Sequence, residues 1–120
     1  MSSPSRDELL AKKCRPCEGG VQACTPSVAE AHLRYLDRWC LADDGRRIRK
    51  QWKFKHFMEA IRFFNRCAEL AEAEGHHPDL HLEQYRFATI ELWTHAIGGL
   101  SENDFILAAK IDQIYDDETP

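Results

Sequence analysis

The chain predicts an α+β fold: an antiparallel sheet of about four strands with about three helices on one face. Three observations carry this. Phe57, Ile61, Phe64, Ala68 and Ala71 recur at spacings of four and three, the period of a long amphipathic helix. Arg46 to Phe54 and Tyr85 to Thr94 alternate between apolar and polar residues, the period of a half-buried strand. Between Trp39–Ala42 and the first of these strands lies Asp43-Asp44-Gly45, whose Asp-Gly step supplies the positive φ of a tight hairpin turn.

Taken in order, residues 1–24 read as an N-terminal arm and residues 25–120 as a single domain. Thr25-Pro26 places a capping hydroxyl before a proline at the first helical position, and Ser27 with Glu30 offers an alternative capping box. The helix they open is expected to run to about Leu36 and to bury Val28, His32, Tyr35 and Leu36. The hairpin follows, then the long helix, which Gly75 stops. Leu80 to Leu82 is extended enough to add a strand before Tyr85 to Thr94. Ser101 caps a last helix that buries Phe105, Ala108 and Ile111, and the acidic tail from Asp112 to Glu118 is expected to fray. On the later strand Ala88, Ile90 and Leu92 suit the helix-covered side. Phe87, Thr89, Glu91 and Trp93 lie opposite, too mixed for a core and too aromatic for free exposure, so a partner subunit is expected to cover part of them.

At 120 residues, 43% hydrophobic and 30% charged, the chain has the composition of one soluble globular domain. No run approaches the ~18 apolar residues of a membrane span. The opening MSSPSRDELLAKK has no apolar signal core, so a cytoplasmic, or also nuclear, location is the expectation. The net charge of −4 argues against general nucleic-acid affinity. Arg46 to Lys55 runs against that average, with six positive charges around Trp52 and Phe54. Ile48, Trp52 and Phe54 nevertheless share one parity and Arg47, Arg49, Gln51 and Lys53 the other, which describes a strand with one solvated face. No direct nucleic-acid partner is expected. The five cysteines are an odd number and do not read as a disulfide framework. Cys14 and Cys17 form one Cys-x-x-Cys, Cys24 could add a third ligand, and no fourth is at hand for structural zinc. They read as reduced thiols in a mobile or loosely packed arm.

Glu72 to Asp104 holds four of the six histidines. Histidine, with an ordinary pKa of ~6.5, gives and takes protons near neutrality. His77 precedes Pro78 and is thereby pushed out of a helix, while the following strand delivers His95 at its far end. Helix end and strand end can therefore converge, bringing His76, His77 and His95 together as acid–base equipment. His76 and His77 share a pocket only if the chain bends between them, because successive side chains on extended backbone point apart. His32, His56 and His81 have the duller reading of helix-end caps or solvated side chains. A metal reading is weaker still: Pro78 prevents the i, i+4 presentation of a His pair, and no cysteine or paired acid accompanies the histidines. No metal or other cofactor is expected.

These residues resemble the pterin-4a-carbinolamine dehydratases. Their signature is present as Ala71-Glu72, His76-His77-Pro78, Thr94-His95, Gly99-Leu100-Ser101 and Asp104, continued by Phe54-Lys55, Phe57, Ala60, Phe63, Phe105, Ala108 and Ile111. It covers roughly residues 26 to 115. The resemblance implies dehydration of 4a-hydroxytetrahydropterin, the spent cofactor of aromatic amino-acid hydroxylases, to quinonoid dihydropterin and water. His76 and His95 become proton-transfer candidates on two sides of the pterin, and His77 a substrate-binding or acid–base group. Gly75, Pro78, Trp93 and Thr94 become substrate-contacting positions, chiefly through backbone. Asp104 has two readings. It fits a loose capping box with Ser101, and the resemblance implies that it orients a histidine. Homodimers or homotetramers are implied too. The other class of function is an interaction protein on the same fold, since family members also serve as dimerisation cofactors of a transcription factor or as assembly helpers.

Overall fold

A computed structural model describes residues 6–14, 23–42 and 44–118. Its elements are α1 (Arg6–Ala11), α2 (Pro26–Leu33), β1 (Cys40–Leu41), β2 (Ile48–Lys53), α3 (Phe57–Glu74), β3 (Asp79–Glu83), β4 (Phe87–Leu92), a 3₁₀ turn (His95–Ile97) and α4 (Glu102–Glu118). All strand pairings are antiparallel, in the order β1-β2-β4-β3. The fold is the expected α+β one, with α1 added from the arm.

Pairing follows the alternation in the sequence. Ile48 lies opposite Leu92, Lys50 opposite Ile90 and Trp52 opposite Ala88, so all six share one face. All six are buried. The helices cover that face: the Trp52 ring meets Phe63 of α3 at 5.0 Å and Tyr115 of α4 at 6.2 Å. On the open face Arg47 lies over Trp93 at 5.0 Å and Lys53 over Phe87 at 5.9 Å, while Gln51 donates to the Thr89 hydroxyl. The aromatic rings of that face are thus partly covered from within the chain by the stems and heads of its own cations.

Several boundaries differ from the sequence reading, each for a local reason. Thr25 caps α2 by accepting from the Val28 N–H, as the motif suggests. The helix ends at Leu33, however, because Tyr35 and Leu36 bond back to His32 and Leu33, three residues earlier. That tighter winding rotates Tyr35 out to 40% exposure, and Val28 is 44% exposed, whereas His32 and Leu36 are buried. His32 stacks on Phe105 at 4.6 Å, and burial holds its imidazole below the ordinary histidine pKa. In α3 the buried stripe is Ala60, Phe63, Cys67 and Ala71, one residue round from the expected one, and Phe57 is 47% exposed. Adjacent stripes both carry helical spacing, and the large Phe63 ring decides which one faces the sheet. The later strand starts at Phe87 because Gln84 and Tyr85 take left-handed φ of 50° and 59° to form the preceding turn.

The stretch read as a loose arm contributes Leu9, fully buried against the core. Cys17 lies outside the described residues. The tail does not fray at Asp112. Its buried carboxylate accepts from Lys50 Nζ at 2.8 Å and Trp39 Nε1 at 3.0 Å. Burial nevertheless pushes the Asp112 carboxyl above its usual range, the two donors only partly offsetting it. A raised carboxyl pKa means the folded state holds this proton more tightly than the unfolded one. The group's stabilisation is therefore present in acid and lost as pH rises through the raised value. Trp39→Phe removes one offsetting donor, so it is expected to cost ~1–3 kcal/mol near neutrality. The melting-temperature gap to the parent should narrow as pH falls, which a pH series of melting curves measures.

Candidate active site

Gly75 ends α3 in the left-handed conformation, φ 67°, and the His76 N–H returns to Ala71 O. This turn precedes both histidines and sets the direction in which they leave the helix. It sends His76 inward, where it is buried, and leaves His77 outside, against the Glu72 carboxylate. Pro78 then leads into β3.

The opposite wall comes from the end of β4. Beyond Leu92 the chain makes an isolated bridge between Thr94 and Gly99, around the 3₁₀ turn that begins with His95. His95 is exposed and its ring lies 4.1 Å from that of Trp93, inclined by 34°. Trp93 is fixed by its Nε1–H donating to Asp79 Oδ2 at 3.1 Å and by Arg47, which lies over its ring.

Behind His76 lies Asp104, fully buried in the first turn of α4. Its Oδ1 is 2.6 Å from His76 Nε2. Its Oδ2 accepts from the Ser101 N–H and from the Thr94 hydroxyl, both at 2.9 Å. The Ser101 hydroxyl turns to Thr94 at 2.7 Å. Half of a capping box is therefore made, with Asp104 reaching back to the cap N–H, while its other oxygen is left for the imidazole. A buried carboxylate that accepts three hydrogen bonds is satisfied without a counter-ion.

Gly75, His76, His77, Trp93 and His95 line one open cleft of about 180 Å³. Five of the eight sequence candidates thus meet directly. Asp104 and Thr94 stand behind the wall, both fully buried, and Pro78 is half-buried beside it. Thr94 was expected to act through its backbone, but its side chain joins the network. Glu72 and Asp79 carried no such role in the sequence reading, and Ser101 only that of the cap paired with Asp104. Asp79, an acid just after Pro78 at a strand start, was the more legible of the first two. His81 lies on β3 and pairs with Glu91 at 3.2 Å. Among the described residues no group of three or more His, Cys, Asp or Glu side chains is arranged to hold a metal ion.

The chain is of the class of α+β domains built on a single helix-covered antiparallel sheet, here with a cleft walled by imidazoles and backed by a buried carboxylate. Within that class, the chain belongs to the pterin 4 alpha carbinolamine dehydratase family, whose sequence profile matches residues 22–114. This is a family of hydro-lyases. The chain is 47% identical over 110 residues to the Arabidopsis thaliana pterin-4-alpha-carbinolamine dehydratase 2, mitochondrial, an alignment covering 89% of this chain and 59% of that protein. A Methylococcus capsulatus protein bearing the same family name is 44% identical over 106 residues, covering 88% of this chain and 92% of its own. In structure, the chain is similar to the transcriptional coactivator/pterin dehydratase from Brucella melitensis. The TM-score is 0.72 and the identity 35%, over 78% of this chain and 98% of the other.

Proposed function

We propose that the chain dehydrates 4a-hydroxytetrahydropterin to quinonoid dihydropterin and water, returning the pterin cofactor of aromatic amino-acid hydroxylases to use. The observation that carries this reading is the cleft in which His76, backed by Asp104, faces His95. The reaction breaks the C4a–oxygen bond as the N5 lone pair forms the new double bond. An acid must protonate the departing hydroxyl, and a base must take the N5 proton. Asp104, itself held by Ser101 and Thr94, orients the His76 ring, which suits His76 to hand a proton to the hydroxyl. His95, on the other wall and open to solvent, is placed to take the N5 proton and pass it to water. Trp93 offers an aromatic face beside it for a flat ring, and His77 borders the same opening. General acid–base help of this kind supplies ~10²–10⁴-fold.

The test is direct: the purified protein is mixed with chemically generated carbinolamine, and the appearance of quinonoid dihydropterin is followed. A rate no faster than in buffer alone would sink the reading. The protons move between imidazoles and substrate, so exhaustive chelation should leave the rate unchanged. Loss of activity restored by zinc would replace acid–base chemistry with a metal mechanism.

A protein-partner role is the second reading, supported by α3. Phe57 and Met58 are exposed there beside half-buried Ile61 and Phe64, an apolar strip fitted to a second copy in a homodimer or homotetramer, or to a transcription-factor helix. No helix among the described residues is long and apolar enough to cross a membrane, and we place the protein in the cytoplasm or also in the nucleus.

A further inference from the structure

We propose that Glu74 and Lys110 are positioning residues that fix the His76–Asp104 pair, and that the N-terminal arm is fastened to the site through them. The proposal rests on the acid–base reading of that pair. Glu74 is the last residue of α3, two before His76, and its side chain is only 8% exposed. One carboxylate oxygen accepts from Lys110 Nζ at 2.9 Å, and Lys110 lies on α4 six residues after Asp104. The other accepts from the Cys14 N–H at 2.8 Å. The Cys14 thiol in turn donates to the Asn103 carbonyl, next to Asp104, at 3.6 Å.

One arm residue thus touches the chain just before each member of the catalytic pair. Two further bonds follow the same course: Lys12 pairs with Glu102 at 3.0 Å, and the Cys24 N–H donates to Leu100 O at 2.7 Å. Three described arm residues, Lys12, Cys14 and Cys24, therefore touch the segment from Leu100 to Asn103 that leads into Asp104. Neither Glu74 nor Lys110 lines the cleft, so neither can touch substrate. What they hold is the spacing between the end of α3 and the start of α4, which is the spacing of the proton-bearing pair.

The charges suit a permanent fastening. Burial raises the Glu74 carboxyl, but the Cys14 N–H and the Lys110 ammonium outweigh it and hold the group below its usual range. It is ionised throughout the neutral region. The Cys14 thiol is pushed up to about 12, by burial first and by the Glu74 charge second, so it stays a protonated donor.

The experiment uses the full chain and three variants, Glu74→Gln, Lys110→Met and Lys110→Arg. Dehydration kinetics, melting curves and the imidazole nitrogen shifts of His76 are measured for each. Glu74→Gln and Lys110→Met are expected to lower kcat about tenfold with KM held within about twofold, since small misplacements of reacting groups cost rate before binding. The His76 nitrogen shifts should change with them, and Lys110→Arg should restore both towards the parent. Folded variants with a lower melting temperature but parental kcat and parental nitrogen shifts would reduce the ion pair to a structural tie and overturn the proposal. Should Glu74→Gln not fold, Lys110→Met decides alone, because it keeps the carboxylate and the arm's bond. His76→Ala separates the two levels. Full activity there would overturn the acid–base reading, while the nitrogen shifts in Lys110→Met would still report on the fastening.

Discussion

Asp104→Asn is expected to lower the dehydration rate by ~10²–10⁴-fold, the range seen when an acid–base group is lost or its orienting carboxylate replaced. The geometry gives the reason. The Ser101 N–H can only donate, so the amide oxygen of the new side chain must take the place of Oδ2. Its NH₂ group then faces His76 Nε2, where Oδ1 stood. A donor there is received only by a bare nitrogen, so the imidazole is driven to carry its proton on Nδ1 and is barred from holding two. Stability should fall by ~1–3 kcal/mol, the cost of disturbing a charged, buried hydrogen-bond set, which exceeds the ~0.3–1 kcal/mol of a helix-terminus charge alone. The pH–rate profile should change in shape as well as height, because the imidazole now meets a hydrogen-bond donor where it met a carboxylate. A variant with an unaltered profile and a lowered melting temperature would leave Asp104 as a helix cap.

His95→Ala is expected to lose ~10²–10⁴-fold in rate while keeping the parental melting temperature within a degree or two. The side chain is exposed and lies against Trp93, so its removal opens no buried cavity. The double variant His76→Ala with His77→Ala should lose as much activity but also some stability, because Asp104 forfeits its Nε2 partner in a buried place. His95 is therefore the cleaner probe. If His95→Ala stays folded and fully active, the chemistry lies elsewhere; if it unfolds, the histidine was structural.

The strands were legible because their partners obey a two-residue period that burial enforces on one face only. Ile48, Trp52, Ala88, Ile90 and Leu92 all fell where parity put them. The helices were legible in place but not in rotation. Phe57, Ile61, Phe64 and Ala68 satisfy the helical period as well as Ala60, Phe63 and Cys67 do, and only the opposing Trp52 and Tyr115 rings choose between them. The turn at Gln84-Tyr85 was hidden because neither residue is of the kind that usually accepts left-handed φ. In the cleft, His76, His77 and His95 could be read from their places at element ends. Their division of labour could not, since it depends on the Gly75 turn burying one neighbour and exposing the next. Ser101 was legible as the cap to which Asp104 reaches back, but the Thr94 hydroxyl could not be read as a partner of Asp104, because a hydroxyl signals nothing until its acceptor is known.

The packing of α1 on α4 has a consequence for how the molecule comes into being. Arg6 and Asp116 form an ion pair across 110 positions of sequence, and Leu9 fills the core between them. During synthesis the covering helix leaves the ribosome well before its seat does. Until α4 emerges α1 lacks its seat, and the apolar run of α4 from Phe105 to Ala109 is fully covered only once Leu9 has packed with the rest of the core. Closing so long a loop is slow. Seating α1 on α4 therefore rests on contacts of very long sequence separation, the kind that form slowly and leave apolar surface open to chaperones and neighbours meanwhile.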